Sequence, residues 1–94
     1  MDDVTLKRLN KKQEEVRQSK NKLDGLEYQK AELIKRKEDP EGKYTVHIEK
    51  NRHALLLPTE CADQVMEVCL PILEMLIENA EVEYELKKTE FEAL

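Results

Sequence analysis

Tyr44-Thr45-Val46-His47-Ile48-Glu49-Lys50-Asn51-Arg52-His53-Ala54-Leu55-Leu56-Leu57-Pro58 decides the fold. Apolar and polar residues alternate strictly from Tyr44 to Glu49, and the apolar ones are good β-formers. That period of two marks a half-buried strand. Lys50-Asn51-Arg52 supplies a polar turn. Ala54 to Leu57 returns as a second strand, which Pro58 stops. The expectation is a β-hairpin over about 43–57. A two-residue and a three-residue loop would set opposite leucines on the buried face, and the pattern admits both registers. An isolated hairpin is marginal in water, so this one is expected to pack on a neighbour, near Val65 to Leu73.

Working outward, the N-terminal side reads as one helix over about 2–37. It holds no proline and a single glycine, Gly25. Asp2 and Asp3 suit its start, and Lys35, Arg36 and Lys37 suit its last turn, where cations complement the helix dipole. Leu9, Val16, Leu23, Leu26 and Leu33 fall on a seven-residue repeat, with Lys12, Ser19 and Lys30 filling the gaps. That is a narrow coiled-coil seam. Glu38-Asp39-Pro40-Glu41-Gly42 ends the helix, because proline disfavours helix in the residue before it.

The C-terminal side reads as a second helix over about 59–92, with Thr59 as its N-cap. Met66, Cys69, Leu73, Leu76, Ala80, Tyr84, Phe91 and Leu94 form one apolar stripe, with Lys87 as its gap. Val65, Val68, Ile72, Met75, Val82 and Leu86 form a second, with Asn79 as its gap. Glu60, Gln64, Glu67, Glu74, Glu78, Glu81 and Glu85 lie opposite. Two adjacent stripes make an apolar face wider than one helix covers. Pro71 falls on the polar side, where water satisfies the freed carbonyl, and the helix is expected to kink or break there.

The fold class is therefore mainly α (α+β): two long antiparallel helices joined by a small β-hairpin, in a single domain over 1–94. This order resembles the layout of prefoldin, in which a hairpin joins two antiparallel helices. The likeness is one of architecture, with no motif residue behind it.

Composition agrees. Charged residues are 39% of 94, against roughly 25% in ordinary domains. Leu, Ile, Val and Phe still supply enough apolar side chains for a core, though a chain this short buries only about 60–65% of its unfolded surface. The charge is sorted along the chain. Residues 1–53 carry 14 basic and 11 acidic side chains, and residues 54–94 carry 2 basic and 10 acidic. An antiparallel pair sets basic 7–22 beside acidic 74–92. Exposed ion pairs contribute only on the order of 0–1 kcal/mol each, so they set orientation more than stability.

The surplus apolar face on the second helix predicts self-association through Val65, Val68, Ile72, Met75 and Leu76. A dimer is the first expectation, with higher order open. No apolar stretch is long enough for a signal peptide or a membrane span, so a soluble, cytoplasmic protein without membrane contact is expected. Cys61 and Cys69 are eight apart in one helix, about 12 Å of rise. That is too far for a disulfide, and buried reduced thiols are expected.

No chemistry stands out. His47, His53, Cys61 and Cys69 lack the paired spacing of a zinc site. Ser19 is the lone serine, and there is no glycine-rich phosphate loop. No cofactor, no metal and no enzymatic activity are expected. Lys7, Arg8, Lys11, Lys12, Arg17, Lys20 and Lys22 make a basic stripe that suits phosphates, yet the acidic helix beside it can neutralise it. His47, Lys50, Arg52 and His53 fall within seven residues at the hairpin tip. They suit an acidic patch on a partner or a small anion. The reading is a homo-oligomeric interaction protein that binds and modulates a protein partner as a small accessory or inhibitory factor. The alternative is a binder of a nucleotide or nucleic acid through Lys, Arg, His and Tyr at a subunit interface.

Overall fold

The computed structural model describes residues 2–39 and 45–94. Pro40, Glu41, Gly42 and Tyr44, which the sequence assigns to the turn and the first strand, lie outside them. The element order is α1 (Asp3–Glu38), β1 (His47–Lys50), β2 (His53–Leu56) and α2 (Thr59–Glu92). The two helices pack against each other, and the two strands form one antiparallel sheet. The molecule is a slab of 60 × 29 × 18 Å. That thickness holds one layer of helices, whereas a domain core normally lies between two layers.

Local chemistry sets each boundary. Asp2 caps α1: its carboxylate accepts the Thr5 backbone N–H at 2.7 Å. That hydrogen bond lowers the Asp2 pKa from the usual carboxylate value. Asp39 is extended, with ψ at 113°, as the residue before a proline should be. Pro58 precedes α2 with extended geometry and no side-chain cap. Thr59 is thus the first helical residue rather than the N-cap. Proline lacks the N–H that a first turn leaves unpaired, so it suits that entry. Helix α2 runs unbroken through Pro71, which lies exposed. The reading of a break there is set aside.

The seam of α1 is the one the heptads predict. Leu9, Val16, Leu26 and Leu33 are half-buried, and Leu23 and Ser19 are buried. Leu23 sits with Ile77 and Ala80, and Leu26 and Tyr84 pack around them. Ser19 returns its hydroxyl to the Val16 carbonyl at 2.9 Å, so its burial leaves no orphan polar group. On α2 the buried residues are Ala62, Met66, Ile77 and Ala80. Ile77, not Leu76, faces α1. The stripe steps by four from Leu73 to Ile77 and then by three to Ala80. Two adjacent apolar residues hid that choice in the sequence.

Four ion pairs fix the antiparallel register. Lys12–Glu90 at 3.4 Å, Lys87–Glu15 at 3.7 Å, Lys22–Glu83 at 3.3 Å and Lys30–Glu74 at 3.6 Å join the helices. The polar gaps of the two seams, Lys12 and Lys87, fall at one level. Glu15 lies between them, its Oε2 3.5 Å from the Lys12 ammonium. That oxygen is enclosed and makes no hydrogen bond, so its compensation is the two cations. The Glu90 hydrogen bond, with the Glu15 charge behind it, raises the Lys12 pKa above the usual lysine value.

The hairpin departs from expectation. Asn51 and Arg52 have φ of 52° and 67°. Positive φ at both centres marks a two-residue type I′ turn, which matches the twist of the strands. The register pairs Ile48 with Leu55 and Lys50 with His53, and Leu57 N–H donates to the Val46 carbonyl at 2.9 Å. This settles the open choice of loop. The strands, however, pack on neither helix, and every strand residue is exposed. The hairpin does not cover the α2 surplus. Asparagine tolerates left-handed geometry, whereas arginine there costs about 1–2 kcal/mol. Arg52→Gly is expected to stabilise the hairpin by about 1 kcal/mol, read as roughly fivefold slower amide exchange across β1 and β2. Unchanged exchange would rule out the type I′ geometry.

Candidate assembly face and hairpin tip

The exposed apolar residues of α2 line one flank of the slab. Val68 is 55% exposed, Ile72 50%, Met75 52% and Leu76 39%. Val65 is half-buried beside them, and Val82 and Leu86 continue the row. Spacings of three and four keep these residues on one side of the helix. Single exposed apolar residues are ordinary, but a row of this length, broken only by Asn79, is not. From Val65 to Leu86 the row covers about 32 Å of helix.

A groove of about 400 Å³ opens where this flank meets α1. Ile72, Leu73 and Cys69 form one wall, and Tyr28, Gln29 and Arg36 the other. Tyr28 is exposed at 67%, although its ring would lose water if a partner closed the groove. The seam reading passed over Tyr28. An aromatic ring on a charged helix face was the signal that could have found it. Further along, the same flank carries Gln18 and Lys22 beside Glu83 and Lys87.

The cysteines differ from expectation. Cys61 is exposed and Cys69 half-buried, both as free thiols. Cys61 lies in the first turn of α2, beyond the level that α1 reaches. Among the described residues no group of three or more His, Cys, Asp or Glu could hold a metal ion. No described helix is long and apolar enough to cross a membrane.

The hairpin tip is split by its register. Directly paired residues share a face. Lys50 and His53 therefore stand together, next to Ile48 and Leu55. His47 pairs with Leu56 on the opposite face, and Arg52 occupies the turn itself. The structure brings Lys50 and His53 together and sets His47 apart.

The basic stripe of α1 is divided as well. Arg17 is paired with Glu14, and Lys20 with Asp24 at 3.2 Å. Those partners raise the pKa of both cations, through hydrogen bonding first. Lys20 also lies over the Tyr84 ring, 5.4 Å from its centroid. Lys7, Arg8 and Lys11 line a shallow groove with Val4, Lys12 and Glu15 near the start of α1.

Comparison with protein-family models, with curated proteins and with solved structures gives no match.

Proposed function

We propose that this chain is a non-enzymatic, cytoplasmic interaction protein. It assembles with copies of itself through the flank of α2 and engages a protein partner as a small accessory or inhibitory factor. One observation carries the reading: the row Val68, Ile72, Met75 and Leu76 stays open to water on a slab one layer thick. Copies of the chain supply the missing layer. The hairpin stands clear of the helices and presents Lys50, Arg52 and His53 to the partner, with His47 on its other face.

Light scattering at tens of micromolar tests the assembly. The expected mass is twice 11.1 kDa, or a higher multiple. A particle of 11.1 kDa would end this reading. A second reading rests on Lys7, Arg8 and Lys11, which line one groove: a binder of an anionic ligand such as a nucleotide or nucleic acid. A labelled oligonucleotide separates the two. Binding that collapses between 50 and 200 mM salt, as roughly expected for phosphate contacts, favours the second.

A further inference from the structure

We infer that the occupant of the α2 flank is a second copy of this chain, related by a two-fold axis parallel to the helices, so that the two α2 helices run in the same direction. This deepens the assembly reading and rests on it. The charge on either side of the apolar row selects this arrangement.

On the side towards α1, the grooves along the flank are lined by Arg8, Lys11, Lys22 and Arg36, with Glu15 and Glu32 among them; Lys22 is already paired with Glu83 and Arg36 with Glu32. On the far side α2 carries Glu60, Glu67, Glu78 and Glu85, with the uncharged Gln64 and Pro71 between them. No ion pair engages these four among the described residues. Basic margin, apolar row and acidic margin thus run across the flank in that order.

Two face-to-face arrangements of identical flanks are available. With the axis across the helices, α2 meets its copy head to tail. Each margin then faces its own copy, so glutamates oppose glutamates and cations oppose cations. With the axis along the helices, each acidic margin faces the basic margin of the partner. Like-charge juxtaposition is a strong discriminator between docking modes. The second arrangement also preserves level. Within one chain Lys30 lies level with Glu74, and Lys12 with Glu90. By the same register Arg36 lies level with Glu67, and Lys11 with Glu92. A two-fold axis along the helices leaves levels unchanged, so Arg36 meets Glu67 of the partner subunit. In the resulting four-helix bundle the α1 of each copy faces the α2 of the other, antiparallel and of opposite charge, while the two α2 helices meet along the axis in parallel through the apolar row.

The area suffices. A flank about 32 Å long and two helices wide, about 20 Å, covers about 650 Å² per copy. The total, about 1,300 Å², lies inside the range of specific interfaces.

Disulfide trapping distinguishes the two arrangements. Val68 and Leu86 are 18 residues apart, five full turns, and point in one direction. Val68→Cys and Leu86→Cys are made singly in a Cys61→Ser, Cys69→Ala background and exposed to a mild oxidant. Both positions are solvent-exposed, and circular dichroism checks that helix content is retained. The expected result is that each variant traps with itself in high yield. If neither traps with itself and a mixture of the two traps across, the helices are antiparallel and the inference is wrong. If the particle is a dimer and nothing traps, the copies do not meet in parallel along this row, and the inference is again wrong while self-assembly survives. A monomeric mass would overturn both.

Discussion

Replacing Val68 and Ile72 together with glutamate is expected to return the particle to 11.1 kDa. Both side chains are at least half exposed in the single chain, so the helix pair itself tolerates the change. Glutamate is also a better helix former than valine or isoleucine. In the proposed assembly the same positions lie within the apolar row. Closing the interface over them would strip water from four new carboxylates in a dimer, beside the acidic margin already there. An uncompensated buried charge costs several kcal/mol. The dissociation constant should rise by about 10³-fold or more, which removes the dimer at micromolar concentration. Sedimentation or light scattering reads the mass, and circular dichroism reads the helix content. A double variant that keeps the wild-type mass would move the interface to another surface.

Leu23→Ala carries the second large effect, this time within one chain. Leu23 is 6% exposed and is the sole buried apolar residue that α1 contributes among the described residues. It fills the contact with Ile77 and Ala80. Leucine-to-alanine changes at such sites cost about 2–5 kcal/mol, through lost transfer energy and the cavity left behind. A domain of this size has about 5–14 kcal/mol in total. Urea unfolding is expected to show about 3 kcal/mol lost. Val4→Ala, at a position 69% exposed, should change stability by less than about 0.5 kcal/mol. A Leu23→Ala cost under about 1 kcal/mol would mean that the helices are not seated on this seam.

The helices were legible because their information is periodic and redundant. Leu9 to Leu33 repeat every seven residues, and a single misread position would not move that seam. Charge sorting gave the antiparallel sense, and the Lys12–Glu90 and Lys22–Glu83 pairs realise it. What escaped was local. Leu76 and Ile77 are adjacent and equally apolar, so only three-dimensional packing chooses between them. The hairpin register hung on two backbone angles, and Arg52 is not a residue whose presence announces positive φ. The open α2 row was visible as a surplus. The hairpin looked able to cover it, because sequence distance does not show that the strands project away from the helices. Of the tip residues, alternation could have set His47 apart from Lys50 only once the loop length was known.

The detached hairpin also bears on how the chain finds its fold. Its turn is local, and hairpins of this kind close in about 1–10 μs. Closing it first brings the end of α1 and the start of α2 close together before either helix has a partner. The Lys12–Glu90 hydrogen bond spans 78 residues and would otherwise demand one long, improbable loop. Zipping from the hairpin outward replaces that loop with a succession of short steps. The Lys12–Glu15–Lys87 cluster lies towards the far end of that zipper. The distant contacts between the helices would thereby form with the kinetics of local ones.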